Sequence, residues 1–145
     1  MADNINTLSK KSKESCDAAY YCENKNWYNV AISRYYYCLF QASKNYLICQ
    51  CGVKVDDFKQ SENSNPLASH KGVISRVFKE IGNKNISGYK HYKDKLNFFF
   101  ELKGLRIVAD YDVVSEIEST KYLRYYKEKI DNLITSLRTL GIIPS

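Results

Sequence analysis

The chain has 145 residues, a net charge of +6 and a pI of about 9.0, and 44% of its residues are hydrophobic. This length predicts one domain, spanning residues 1–145, with a hydrophobic core of its own. The sequence contains neither an apolar stretch long enough to cross a membrane nor an apolar signal region at its start, so we expect a cytoplasmic protein.

Apolar residues at helical spacing predict two long helices in the first third of the chain. The first covers about Ile5–Glu23 and is broken by Asn24–Asn26. The second covers about Trp27–Cys51 and ends at Gly52, a common stop signal for a helix. Because the second helix is apolar nearly all round, we expect it at the centre of a bundle.

A long polar connection, Val53–Ala68, separates the second helix from a short third helix over about Ser69–Ile81. Connections of this length in a small domain tend to be functional or mobile. The third helix is expected to stop at Gly82, and Asn83–Gly88 to form a loop.

The fourth predicted helix, Tyr89–Tyr111, contains Gly104, which costs about 1 kcal/mol inside a helix and often lets another backbone approach closely. A capping box at Ser115–Glu118 predicts the start of a fifth helix, about Glu116–Leu140, which ends at Gly141. The sequence therefore predicts an all-α protein, an up-and-down bundle of about five helices.

Polar residues interrupt two of these apolar helices. In the second helix, Arg34 and Gln41 are seven residues apart and share a face, two turns from each other. A buried arginine needs a partner, either a carboxylate or carbonyl group of the protein or a bound anion. The spacing leaves both alternatives open.

In the fourth helix, Lys103, Arg106 and Asp110 share a face, and Tyr111 lies at the helix end. One interpretation is an ion pair between Arg106 and Asp110 within the helix, which contributes a few tenths of a kcal/mol. The other is a phosphate-binding arginine, because the planar guanidinium donates two hydrogen bonds at once.

Histidine and cysteine are the other residue types with suitable chemistry. His70, followed by Lys71, begins the third helix, where it is either a general acid–base group or an inert surface residue. The five cysteines include Cys38, which we expect to be a small buried hydrophobic residue, and the pair Cys49 and Cys51. No second Cys/His pair completes a zinc set, so we expect neither a metal nor another cofactor.

Three short blocks lie along these predicted helices. They are Ala31–Phe40 (SR-x-YY-x-x-F), Ser69–Ile74 (HKGV) and Leu105–Tyr111 (R-x-x-ADY). In this order and spacing, over about Leu8–Leu140, the blocks resemble those of HEPN proteins, whose genes often neighbour those of nucleotidyltransferases in bacteria and archaea.

The resemblance implies a homodimeric, HEPN-like helical bundle. Many HEPN proteins are metal-independent endoribonucleases, among them toxins of toxin–antitoxin pairs and phage-defence effectors. In those enzymes an arginine binds the scissile phosphate of RNA, and a histidine about four to six residues later moves protons so that the RNA 2′-hydroxyl attacks. The implied partners are a second copy of the chain, RNA and a nucleotidyltransferase antitoxin.

This chain departs from the family pattern, because no arginine is followed by a histidine at that spacing. Arg106 is followed by Asp110, and Arg34 by Gln41, which can bind a phosphate oxygen but cannot shuttle a proton near neutral pH. Catalysis would need a substitute, such as His70 or Asp110.

Three hypotheses remain open at this point. The first is an RNA-cleaving effector, and the second is a catalytically inactive HEPN module that binds RNA, a nucleotide or a partner nucleotidyltransferase. The third is a structural dimer whose polar stripes are internal ion pairs. In the first hypothesis the catalytic residues are Arg106, Asp110 and His70, and the substrate-binding residues are Arg34, Gln41, Lys71, Lys103 and Tyr111.

Overall fold

A computed structural model describes residues 2–59, 65–84 and 89–143, and most of these residues are helical. The four long helices of this part are α1 (Ala2–Asn24), α2 (Tyr28–Gln50), α3 (His70–Asn83) and α4 (Tyr89–Tyr111). A C-terminal helix follows, made of α5 (Ser119–Lys121), a π-helical turn (Tyr122–Tyr126) and α6 (Lys127–Thr139). No strand occurs in the three ranges, so the predicted all-α bundle is confirmed.

The long connection after α2 contains two short 3-10 turns, Val55–Phe58 and Pro66–Ala68. The part of the predicted connection at 60–64 and most of the predicted loop before α4, at 85–88, lie outside the described residues. None of the helices in the described ranges is both long and apolar enough to span a bilayer.

Helix α2 lies at the centre of the bundle, as its apolar sequence predicts. It packs against α1, α3 and α4, and α4 also packs against α6. Neighbouring α2 side chains such as Tyr35 and Tyr36 are fully buried, and each aromatic or large aliphatic side chain buried in this way contributes about 1.5–3 kcal/mol. A narrow stripe of α2 stays at least partly exposed, and it runs through Val30, Arg34, Tyr37 and Gln41.

Three residues in the left-handed backbone conformation end three of the helices. Asn26, Gly52 and Gly141 have φ values of 62°, 72° and 81°. Each is followed by an N–H group that bonds back to the last helical turn, such as Val53 N–H to Leu47 O at 3.0 Å. The stops predicted at Gly52 and Gly141 are therefore observed, whereas α3 continues one residue past Gly82.

The C-terminal helix begins three residues later than its sequence predicts, at Ser119. The capping box predicted at Ser115 is not formed, because the Ser115 N–H donates to Asp112 Oδ1 at 2.9 Å instead. The Ile117 N–H donates to the Asn29 side-chain oxygen of α2 at 2.8 Å. Asn29, which is distant in sequence, thus holds the segment before Ser119 against α2, and the helix begins only after this segment.

Glu23, near the end of α1, joins three parts of the bundle. Its carboxylate accepts hydrogen bonds from Tyr122 Oη at 2.6 Å and Tyr35 Oη at 3.2 Å, and Lys127 Nζ lies 3.1 Å away. The Glu23 side chain is only 10% exposed. A buried carboxylate is tolerated when it is paired in this way, so these contacts tie α1, α2 and the C-terminal helix together.

Gly72 is needed where α3 begins, because the preceding turn lies against it. A Cβ atom at Gly72 would meet the Pro66 carbonyl oxygen at 1.6 Å, far inside van der Waals contact. Ser69 caps the helix from the same turn, its Oγ accepting a hydrogen bond from the Gly72 N–H at 3.0 Å. The glycine of the HKGV block therefore has a packing role at the turn that precedes His70.

Replacing Gly72 with alanine should destabilise the protein by roughly 1–3 kcal/mol, the usual cost of forcing extra atoms into packed structure. Gly82 is the matched control in the same helix, since no atom of the described residues lies within 4 Å of its Cβ position. Gly82→Ala should be neutral or stabilising by up to about 1 kcal/mol. Urea unfolding measures both changes, and a Gly72→Ala protein as stable as wild type would contradict the packing role.

Candidate functional site

A polar cluster lies where α2 packs against α4, and we call it the arginine cluster. It consists of Ser33, Arg34 and Tyr37 from α2, with Arg106 and Asp110 from α4. Ser33 and Tyr37 are four residues apart, as are Arg106 and Asp110, so each pair lies on one face of its helix. Helix packing thus brings together the two arginines that stand out in the sequence.

Arg106 is buried, with 9% of its surface exposed. Its Nη1 donates to Tyr37 Oη at 3.2 Å and lies 3.8 Å from Asp110 Oδ2, which is longer than a hydrogen bond. Its Nε is buried and has no hydrogen-bond partner among the described residues. A buried donor of a charged group is costly to leave unpaired, so the guanidinium of Arg106 is incompletely satisfied by the protein.

Aromatic rings surround the guanidinium of Arg106. Its Cζ atom lies 5.2, 5.6 and 5.7 Å from the ring centroids of Tyr36, Tyr37 and Tyr111. Cation–π contacts of this type contribute about 0.5–2 kcal/mol each. The ring of Tyr111 is also the exposed edge of the site, since 68% of this residue's surface is accessible.

Arg34 contacts the same Tyr37 ring as Arg106. Its Cζ lies 5.3 Å from the ring centroid, and its Nη2 makes a long 3.5 Å hydrogen bond to Ser33 Oγ. Ser33 Oγ in turn donates to Asp110 Oδ2 at 3.2 Å. Within the described ranges no carboxylate lies within ion-pair distance of Arg34, so the cluster holds two guanidinium groups and one carboxylate.

His70, the first residue of α3, lies next to this cluster through Tyr36. Its Nδ1 is 2.7 Å from Tyr36 Oη, and the two rings are nearly parallel, with centroids 5.7 Å apart. The Phe40 ring packs nearly perpendicular to the imidazole, with the ring centroids 4.1 Å apart. Since the Tyr36 ring also contacts Arg106, the tyrosine connects the histidine to the arginine cluster.

The surroundings of His70 disfavour its charged form. Burial lowers the pKa of the imidazole below its ordinary value, and the positive charges of Arg106, Lys44 and Lys103 lower it further. The side chain is therefore mainly neutral near pH 7. A neutral imidazole has a lone pair on one ring nitrogen, and the direction of the hydrogen bond between Nδ1 and Tyr36 decides whether that lone pair is free to accept a proton.

The other predicted site residues occupy three different positions. Lys103 lies on α4, close enough for its charge to act on His70. Tyr111 lies at the edge of the arginine cluster, next to Arg106. Lys71 instead lines a separate shallow cavity on α3, together with Arg76 and Lys79.

Gln41 faces α1 rather than the arginine cluster. Its side-chain amide lies 3.2 Å from Ser15 Oγ. In the amide orientation that gives both ends a partner, its nitrogen also donates to the backbone carbonyls of Lys11 and Tyr37 at 3.1 and 3.2 Å. Gln41 therefore helps to join α1 to α2, although it shares the exposed stripe of α2 with Arg34.

Sequence reasoning missed three residues of the site: Ser33, Tyr36 and Tyr37. The run of tyrosines in α2 is typical of a buried helix face, and Tyr36 is indeed fully buried. A usable signal was present in the spacing, because Tyr37 follows Arg34 by three residues and Ser33 by four. Residues at these intervals lie on one helix face, so the arginine already had aromatic and hydroxyl neighbours.

No set of three or more His, Cys, Asp or Glu side chains is placed to hold a metal ion in the part of the chain that the structure describes. No protein-family model matches the chain, and no curated protein or solved structure is significantly similar to it. The likeness to HEPN proteins therefore rests on the three sequence blocks.

Because burial and nearby cations disfavour the imidazolium, His70 should titrate below the ordinary histidine pKa of about 6.5. An NMR titration measures this pKa, with the His70→Gln variant assigning the signal. Lys103→Met removes one neighbouring charge and should raise the pKa of His70, whereas Lys54→Met, on the exposed loop after α2, should leave it unchanged. A wild-type pKa at or above 6.5 would contradict the buried, cation-flanked environment.

The same shift makes stability depend on pH. The unfolded chain binds a proton at His70 more readily than the folded protein, so stability should fall as the pH decreases through about 6.5 toward the lower folded pKa. The His70→Gln variant should lose less stability over this window, which thermal melts at several pH values measure.

Proposed function

We propose that the arginine cluster binds a phosphate of RNA, and that the chain is a HEPN-type, metal-independent endoribonuclease with His70 in the proton-transfer role. The observation that carries this proposal is that two guanidinium groups contact one Tyr37 ring, while among the described residues only Arg106 has a carboxylate, Asp110, within ion-pair distance. Two positive charges that share one ring repel each other, and a bound anion offsets that repulsion. The arrangement therefore favours an anionic ligand over a closed internal ion-pair network.

Phosphate suits the chemistry of this cluster. Guanidinium groups donate paired hydrogen bonds to phosphate oxygens, and Arg106 retains a buried Nε without a partner. Tyr111 presents an exposed ring beside Arg106, where a base of single-stranded RNA has a surface for stacking. The net charge of +6 adds long-range attraction for a polyanion.

His70 takes the role of the histidine that the family pattern has after its arginine and that this chain lacks at that position. In the proposed reaction the neutral imidazole takes the proton of the RNA 2′-hydroxyl, and the 2′-oxygen bonds to the adjacent phosphorus while the arginines stabilise the negative charge. The bond from phosphorus to the 5′-oxygen of the next nucleotide breaks, that oxygen takes a proton from the imidazolium, and a 2′,3′-cyclic phosphate remains. This role requires Nδ1–H to donate to Tyr36 Oη, so that the Nε2 lone pair is free. Tyr36 would then orient the histidine.

The opposite direction of the hydrogen bond between Tyr36 and His70 favours a second function, binding of RNA or a nucleotide without catalysis. If the Tyr36 hydroxyl donates to Nδ1, the proton of neutral His70 is on Nε2, which can donate to a phosphate but cannot accept a proton. The chain would then be a catalytically inactive module that binds RNA or a nucleotide. The cleavage measurement below distinguishes the two functions.

A homodimer is part of the proposal, as in HEPN proteins. Gly104 is exposed on α4, and no atom of the described residues lies within 4 Å of its Cβ position, so a second backbone has room to approach. Contiguous exposed apolar residues often mark interaction surfaces. The exposed apolar residues of α2, α4 and the segment that follows α4 are Val30, Ile107, Tyr111, Val113 and Val114.

The cellular setting that the resemblance supports is a toxin–antitoxin or phage-defence system. In that setting the chain acts on RNA in the cytoplasm, and a nucleotidyltransferase encoded nearby is its antitoxin partner. These features rest on the resemblance to HEPN proteins, while the phosphate site rests on the geometry of the arginine cluster.

RNA affinity should depend on Arg34 more than on an ordinary surface charge. Fluorescence anisotropy with a single-stranded RNA should show tight binding at low salt that weakens as salt rises. Arg34→Gln should lower the affinity and reduce the slope of log affinity against log salt by about 0.7, the value for one phosphate contact. Lys54→Gln, which removes one charge from the exposed loop after α2, should have a smaller effect; equal effects would refute a specific phosphate site.

Cleavage should depend on His70 while binding does not. With a chelator present, His70→Gln should slow cleavage by about a hundred- to ten-thousandfold and leave RNA affinity near wild type. Gln41→His should add little, because this side chain faces α1. A wild type that binds RNA at Arg34 but cleaves none would support the binding module, and a wild type that does neither would refute both functions.

Light scattering should give about twice the chain mass of 16.9 kDa. Ile107→Lys should shift the protein toward monomer, because a charge in an apolar contact must lose its water. Tyr125→Lys is the control, since Tyr125 is similarly exposed, 43% against 44% for Ile107, but lies on the C-terminal helix. A monomeric wild type at micromolar concentration would remove the dimer from the proposal.

A further inference from the structure

A cavity of about 630 Å³ lies between α1 and α6, away from the arginine cluster. Two cysteines from different helices, Cys16 of α1 and Cys38 of α2, line it together. Arg138 of α6 and Lys13 of α1 contribute positive charge to the same wall. The cavity has the size of a small-molecule site and gives solvent species a route to the sulfur atoms.

The two thiols interact across the α1–α2 contact. Ser12 Oγ donates to the Cys38 backbone carbonyl at 2.7 Å and lies 3.6 Å from Cys38 Sγ. Cys16 follows Ser12 by one turn of α1, so it lies on the same face of α1 as the serine that contacts Cys38, and both cysteines line the same cavity. Both cysteines are unbridged, Cys38 being buried and Cys16 partly accessible.

The surroundings of the pair lower the pKa of one thiol and raise that of the other. The hydrogen bond from Cys38 lowers the pKa of Cys16 to about 7, assisted by the positive charge of Arg138 and opposed by burial and Asp17. The same hydrogen bond and burial raise the pKa of Cys38. At neutral pH more of Cys16 is therefore thiolate, the form that reacts with electrophiles, than of a thiol with an ordinary pKa.

We propose that Cys16 and Cys38 form a peroxide-reactive site that closes to a disulfide between α1 and α2. The Cys16 thiolate attacks the outer oxygen of a hydroperoxide; the S–O bond forms, the O–O bond breaks, and the alkoxide or hydroxide that leaves is protonated. The Cys38 sulfur then attacks the sulfur of the Cys16 sulfenic acid. The S–S bond forms, the S–O bond of the sulfenic acid breaks, and its hydroxyl group leaves as water with the proton of the Cys38 thiol. The two thiols supply the two electrons that reduce the peroxide.

The other cysteines differ from this pair. Cys49 is exposed and donates to Asn45 Oδ1 at 3.6 Å. Burial raises the pKa of Cys51, which makes it a poorer nucleophile at neutral pH. A thiol of pKa about 7 has a larger thiolate fraction at pH 7 but lower intrinsic nucleophilicity than an ordinary thiol, and the two effects leave it roughly three- to fivefold faster.

Peptide mapping after oxidation tests the site. The reduced full-length protein is treated with hydrogen peroxide at pH 7, alkylated and digested. We expect two of the five thiols to be lost and one linked peptide pair, Cys16 with Cys38, in wild type and in the Cys49→Ser control. Cys38→Ala should stop at a Cys16 sulfenic acid that dimedone traps, and Arg138→Gln should slow the reaction.

Three results would overturn the proposal: a disulfide between Cys49 and Cys51 instead, oxidation of Cys49 before Cys16, or no linked peptide at all. A second measurement needs no variant, so it remains possible if a variant fails to fold. The alkylation rate of each cysteine is measured separately in the wild-type protein at several pH values. Cys16 should be alkylated several-fold faster than Cys49 at pH 7, with a midpoint near pH 7. Cys16 alkylation no faster than that of exposed Cys49 would also refute the proposal.

Discussion

Arg106 is a buried positive charge in the contact between α2 and α4. The arrangement of the arginine cluster depends on which groups stabilise this charge. Removing a guanidinium from water costs several kcal/mol unless protein groups replace the lost hydration. Here the replacement comes mainly from the rings of Tyr36 and Tyr37 and from one phenolic oxygen. Because both tyrosines belong to the central helix, the position of Arg106 is linked to the packing of the whole bundle.

Glu23 and Arg106, two largely buried charged residues, are satisfied to different extents. Glu23 is paired with two tyrosine hydroxyls and Lys127, and these donors come from α2 and the C-terminal helix, which Glu23 ties to its own helix, α1. Arg106 has one direct hydrogen bond, a distant carboxylate and an unpaired Nε. Buried polar groups normally have hydrogen-bond partners, so the unpaired Nε of Arg106 sets this residue apart from Glu23.

Helix α2 presents different chemistry to each neighbour. Toward α4 it presents Ser33 and Tyr37, which contact Asp110 and Arg106, and toward α1 it presents Cys38 and Gln41. Tyr37 and Cys38 are consecutive, so about 100° of helical rotation separates them. A single nearly all-apolar helix can therefore contribute to two polar clusters without bringing them into contact.

Local rules account for most of the helix bounds. The spacing of apolar residues predicts α2 and α4 closely, and the left-handed conformations of Gly52 and Gly141 end their helices because glycine adopts them without steric strain. The start of the C-terminal helix is not predictable in this way. Asn29, almost ninety residues earlier in the chain, accepts the Ile117 N–H, and only the folded bundle brings these residues together.

For the candidate site, the sequence by itself determined the residue types and their helix faces: Arg34, Arg106, Asp110 and His70 stand out as polar residues in apolar surroundings. Helical periodicity says which residues share a face, but it contains no information on which neighbouring helix covers each part of that face. The folded structure is needed to show that Tyr37 meets Arg106 of α4 while Gln41 meets α1, and that Tyr36 connects His70 to Arg106. The physical reason is that helix crossing, set by packing of the whole core, selects the partners of each side chain.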